Sequence, residues 1–174
     1  MGGVNGWLRR NRGGLVATAV LAVLTGVVVT GNEWWPLARQ SALVPVTVDA
    51  GSAAAFDDVE WGPATAADAP DVAERGAPAD TRLLVVEVPV DPGDEVAPCA
   101  FVTLRELSGA GRAWREAPAS IDWYDARGLC GSDEPGPFTA RVAFLIPADV
   151  VGPLGLELGL PNEFPRYLRL VLPA

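Results

Sequence analysis

Two kinds of hydrophobic pattern divide the chain: one long uncharged run near its start, and many short alternating segments after it. The nineteen residues 13–31 carry no charge. At about 1.5 Å per residue a helix of that length reaches roughly 28 Å, close to the ~30 Å thickness of a bilayer hydrocarbon core. The pattern therefore predicts a cytoplasmic N-terminus at 1–12, a transmembrane helix at 13–31 and a juxtamembrane linker at 32–42.

The residues that flank the run indicate its orientation. Arg9, Arg10 and Arg12 precede it, and the positive-inside rule places them in the cytoplasm and everything after Gly31 outside. Trp7 and Trp34–Trp35 fit the aromatic belts of the two membrane interfaces. A cleaved secretory signal is the alternative, but its apolar region is typically ~7–15 residues long. We expect a retained single-pass anchor in the cell membrane.

After the linker, apolar residues recur with a period of two between turn residues. The clearest segments end the chain, where alternate positions are apolar in FTARVAFLIP, PLGLELGLP and RYLRLVLP. This pattern is typical of antiparallel strands with one buried face. Seven or eight such strands over 43–174 predict an all-β domain, a sandwich of two sheets around one core. Residues 62–80 lack a period and predict a flexible surface loop. Pro89 predicts that its strand lies at an edge or ends near that point.

Composition narrows the chemistry that this outer domain can perform. The chain has no lysine and no histidine, and all 22 acidic residues follow the span with ten arginines, so this part carries about −12. Such a charge argues against nucleic acid as a partner. Without an imidazole or an amine, Ser-His-Asp, Cys-His and Schiff-base sites are excluded, and only carboxylate chemistry is left. We therefore expect no enzyme and no cofactor.

The two cysteines, Cys99 and Cys130, both fall in the outer domain, in an oxidising compartment. An even count there predicts one structural disulfide. It would close a loop of about thirty residues and contribute on the order of 3–4 kcal/mol in the chain-entropy description.

Several segments together resemble a known family. An arginine-flanked anchor, a VPVTV first strand, a VEWG second strand, the cysteine pair and the ending FLIPAD…FPRYLRL are similar to those of small actinobacterial membrane-anchored proteins with telokin-like, immunoglobulin-like outer domains. The resemblance implies an immunoglobulin-like antiparallel sandwich outside the cell membrane. It supplies no catalytic residues.

Two groups of residues are candidate sites. The first is a strip of small residues four apart on the span, which would allow close association with itself or with another membrane protein; its members are Gly14, Thr18, Ala22, Gly26 and Thr30. The second is the loop 121–138, whose Asp122, Trp123, Tyr124 and Asp125 form a possible ligand site. The sequence thus favours a non-catalytic interaction or accessory module bound to membrane lipid through its helix. The alternative is a cell-envelope domain that binds a small molecule, a glycan or calcium through this loop.

Overall fold

A computed structural model of the chain describes residues 3–39, 43–70, 76–97, 101–118, 121 and 135–173, in two compact units, Met1–Ser41 and Ala42–Ala174. The first unit holds α1 (Gly3–Arg10) and α2 (Arg12–Arg39). Backbone hydrogen bonds continue across the bend at Asn11, whose N–H donates to the carbonyl of Trp7. Because α2 continues to Arg39, most of the predicted linker 32–42 is helical.

The second unit is built from strands. The described residues contain ten, together with a short 3-10 turn at Pro161–Glu163: β1 (Val44–Val48), β2 (Ala54–Phe56), β3 (Val59–Trp61), β4 (Thr65–Asp68), β5 (Thr81–Asp91), β6 (Phe101–Glu106), β7 (Ala113–Trp114), β8 (Phe138–Pro147), β9 (Leu154–Gly159) and β10 (Arg166–Val171). The count exceeds the predicted seven or eight because several of these strands are only two to four residues long.

The strands form two five-stranded sheets. The first sheet has the strand order β1-β10-β9-β6-β7. In the second sheet, β5 pairs with β8 on one side and with both β3 and β4 on the other, and β2 pairs with the far side of β3. Neighbouring strands are antiparallel with one exception, because β1 runs parallel to β10 with Val46 opposite Leu168. The prediction of a purely antiparallel arrangement was therefore wrong for β1.

The two sheets share one hydrophobic core. The residues that alternate inward on β8, β9 and β10 are buried, as their period of two predicted. They pack with inward residues of the other strands, and Trp61 and Phe144 are the largest side chains that are fully buried. The described part of the chain is therefore an all-β, two-sheet domain preceded by one apolar helix.

Strand β9 is the most protected strand of the first sheet. All six of its residues are buried, including Gly155, Glu157 and Gly159 on the side away from the core. A side chain at Gly155 would meet Leu107 and Arg169 at 3.1–3.3 Å. Side chains of neighbouring segments thus lie over the two glycines and cover the outer side of this strand as well.

Two local predictions in the second sheet need correction. The predicted loop 62–80 contains β4, whose residues 65–68 pair with β5. Pro89 does not lie at an edge, because β5 is paired on both sides; the alternative is confirmed, because β5 ends two residues later at Asp91. Its carbonyl accepts a hydrogen bond from the N–H of Gly62. Pro89 therefore faces the break between β3 and β4, where a strand N–H is not needed.

Candidate functional site

The most unusual surface of the chain is α2. Its segment Arg12–Asn32 is 21 residues long, is apolar enough to cross a membrane, and is not buried by any other part of the described chain. Valine and leucine side chains along it are exposed on all sides. Large apolar surfaces in contact with water are costly, so lipid or another protein is needed to cover the segment. A signal sequence near an N-terminus has the same properties.

The strip of small residues lies on this exposed helix. A side chain at Gly14 or at Gly26 would meet no atom within 4 Å. The hydroxyl of Thr18 donates a hydrogen bond to the carbonyl of Gly14 at 2.9 Å. Because this hydroxyl already has an acceptor within its own helix, a partner helix could approach without offering one. The structure thus leaves the strip open, and association through it stays a prediction.

The other predicted site residues lie outside the described residues. These are the two cysteines, Cys99 and Cys130, and the loop residues Asp122, Trp123, Tyr124 and Asp125. Of the predicted loop 121–138, the structure describes its two ends. Ile121 is buried against the outer side of the second sheet, beside Leu83 and Ala143, and Phe138 begins β8. The disulfide and the ligand loop therefore remain predictions.

A charged cluster on the outer side of the first sheet was not predicted. Glu157 is 8 % exposed, and its oxygen Oε1 accepts hydrogen bonds from three neighbours. Arg105 Nε donates at 2.8 Å and Arg169 Nη2 at 2.7 Å, while the hydroxyl of Tyr167 donates at 3.3 Å. Burial raises the pKa of Tyr167 above its ordinary value, and the negative charge of Glu157 adds to that effect. The cluster joins three adjacent strands.

The signal for this cluster was present in β9. Glu157 shares one face of the strand with Gly155 and Gly159, and the leucines of the strand occupy the other face. An acidic residue at an outward strand position is usually solvated, so the sequence alone does not single out Glu157. The arginines that surround it come from β6 and β10, and their proximity depends on a strand order that the sequence alone does not define.

A second group of ion pairs holds the loop between β8 and β9. Arg112 Nε donates to Glu106 Oε2 at 3.1 Å, and its Nη1 lies 3.5 Å from Asp149. The hydrogen bond from Arg112 lowers the pKa of Glu106 below its ordinary value and raises that of the guanidinium. From the other sheet, Arg82 donates to Asp68 at 2.7 Å and to the carbonyl of Val150 at 3.1 Å. Both sheets are thus tied to this loop.

Beside Arg82 the end of the domain opens into a cleft of about 630 Å³. Leu84, Val150, Leu154 and Leu172 are among the apolar residues that line it. A smaller cleft of about 390 Å³ contains Glu60 and Asp91, which lie opposite each other on β3 and β5. Across the described residues, no three acidic, histidine or cysteine side chains are grouped so that they could hold a metal ion. The described part of the domain thus has concave surfaces, and no role for them is assigned by their geometry.

Comparison with known proteins assigns no family: the chain matches no protein-family model, no curated protein and no solved structure. The class that the structure defines is therefore the description given above, an all-β domain of two sheets that follows a helix able to span a membrane.

Proposed function

We propose that the chain is a single-pass membrane protein whose outer β-sandwich acts as a non-catalytic interaction or accessory module. The observation that carries the proposal is the full exposure of Arg12–Asn32, an apolar segment of bilayer length in a chain whose β domain has a buried hydrophobic core. A bilayer covers that segment on every side. The arginines before it favour a cytoplasmic N-terminus and an extracytoplasmic domain.

The architecture supports the same proposal. Two sheets around one core, with mostly antiparallel neighbours, are compatible with an immunoglobulin-like sandwich. The resemblance to actinobacterial anchored proteins with telokin-like domains points in this direction too. In the sequence, eleven residues, 32–42, separate the predicted span from the β domain. A domain on so short a tether suits a partner that is itself in the membrane.

The test is cross-linking in intact membranes, followed by purification of the full chain and mass spectrometry of what accompanies it. The proposal predicts a stoichiometric membrane protein among the products, and recovery of the chain alone contradicts the accessory role. The ligand-binding alternative depends on residues 122–125, which lie outside the described part of the chain.

Association through the small-residue strip is tested separately. In a membrane reporter of the isolated span, Gly26→Leu should weaken the self-association signal because it fills the open strip. Val28→Leu is the matched control, since position 28 lies about 200° away around the helix. Equal signals from both variants and from the wild type would remove the homodimer version of this proposal.

A further inference from the structure

We infer that the first two turns before the span form a binding surface for anionic phospholipid headgroups, with Arg9, Arg10 and Arg12 as its ligating residues. This inference rests on the proposed membrane anchoring and adds the class of lipid that the anchor selects. Its basis is a group of arginines with no acidic residue in their own segment, residues 1–32, placed where a bilayer would have its phosphates.

The three arginines have no carboxylate near them in the sequence. All three arginines are exposed, and residues 1–32 contain no acidic residue. The first carboxylate is Glu33, which lies 21 residues beyond Arg12 on the same helix, about 32 Å along the axis. Most of the described arginines of the outer domain are paired with carboxylates instead, as Arg82 is with Asp68. The N-terminal arginines are therefore available to an outside anion.

The second observation concerns depth. The uncharged run begins at Gly13, so Arg12 lies at the boundary of the hydrocarbon and Arg9 lies about 4.5 Å farther out along the helix. Both arginines therefore lie within one Debye length of this boundary, which is ~8 Å at physiological ionic strength. Trp7, 54 % exposed, follows at the depth that interfacial aromatic residues prefer. The charges thus meet the headgroup layer without strong screening.

The third observation separates lipid from a protein partner. Arg9 and Arg10 end α1 and Arg12 begins α2, so the three charges lie on both sides of the bend at Asn11. A protein that docks on one of the two helices would contact some of these charges. Headgroups surround the end of a span and can reach all three. Charge complementarity and this distribution both favour an anionic bilayer surface.

The test uses the purified full chain in phosphatidylcholine bilayers and compares the association of spin-labelled phosphatidylglycerol with that of spin-labelled phosphatidylcholine. At 0.1 M salt we expect a preference for phosphatidylglycerol of about twofold to fivefold. One arginine near the surface raises the affinity for an anionic lipid by about a factor of five. The measured preference is an average over all the lipid that surrounds the helix. The preference should fall to one in Arg9→Gln/Arg10→Gln/Arg12→Gln and in 1 M salt, where the Debye length is ~3 Å.

Single substitutions provide the matched control. Arg10→Gln should lower the preference, whereas Arg115→Gln, the same change at an exposed arginine of the outer domain, should leave it unchanged. Inorganic phosphate at constant ionic strength should have no effect, because the surface binds headgroups in a bilayer. Equal preference in the wild type and the triple variant, equal losses from both single substitutions, or displacement by free phosphate would overturn the inference. A chain that enters no bilayer would contradict the anchor itself.

Discussion

Replacement of Glu157 by glutamine is the most informative perturbation of the outer domain. The side chain keeps its shape and one acceptor oxygen, but the negative charge that faces Arg105 and Arg169 is lost. Removing one partner of a fully buried ion pair typically costs 3–5 kcal/mol, because the other charge is left buried without compensation. Here the two arginine side chains are 39 % and 21 % exposed, so water compensates part of that loss.

These considerations predict a loss of about 2 kcal/mol in the free energy of unfolding. Charge-assisted hydrogen bonds contribute roughly 1.5–3 kcal/mol each, and glutamine retains weaker, neutral versions of some of them. For a domain of this size, a change of 2 kcal/mol lowers the melting temperature by roughly 6–10 °C. The reduced stability should appear in both thermal and denaturant unfolding.

The assay is unfolding of the full chain in detergent micelles, followed by near-ultraviolet circular dichroism. Glu87→Gln is the matched control, because Glu87 and Arg141 form a pair at 2.7 Å whose side chains are about 40 % exposed. Exposed pairs contribute about 0–1 kcal/mol. A loss at Glu157 no larger than the loss at Glu87 would refute the reasoning that burial makes this cluster important.

Three further outcomes are expected. Arg112 lowers the pKa of Glu106 in the folded chain. The contribution of Glu106 to stability is therefore present above its unfolded pKa of about 4.5 and is lost as the pH falls through the lower, folded pKa. The difference in melting temperature between the wild type and Glu106→Gln should shrink below pH 4.5, and a constant difference would contradict this assignment. Trp61→Phe should cost about 2–3 kcal/mol in denaturant unfolding, because it removes a fully buried indole and its 3.0 Å hydrogen bond to a backbone carbonyl; a cost below 1 kcal/mol would refute it. In an ultraviolet titration the phenol of Tyr167 should ionise above pH 10.0 and at a lower pH once Glu157 is changed to glutamine, since that carboxylate raises its pKa; an unchanged midpoint would argue against their contact.

The sequence predicted those parts of the fold in which local pattern and burial agree. Strands β8, β9 and β10 have strict periods of two, and their inward residues are in the core. A period of two requires one buried face, and a two-sheet core satisfies that requirement in each case.

Features that depend on which strands become neighbours could not be predicted in this way. The segment containing β4 shows no alternation, and it becomes a strand because β5 offers it a paired edge. Because Pro89 has no N–H, the sequence predicted that its strand lies at an edge or ends nearby. A break between two partner strands also leaves that N–H unneeded. The Glu157 cluster likewise needs three strands in one order, β6-β9-β10.

The central claim is that α2 stays in the membrane with the outer domain on the far side, and limited proteolysis of spheroplasts tests it most directly. Trypsin added from outside should digest the outer domain and leave a membrane-bound fragment that begins at the N-terminus and ends at Arg39, identified by its mass. A full-length chain that resists trypsin until the membrane is opened, or a soluble chain that begins near Asn32, would contradict the claim.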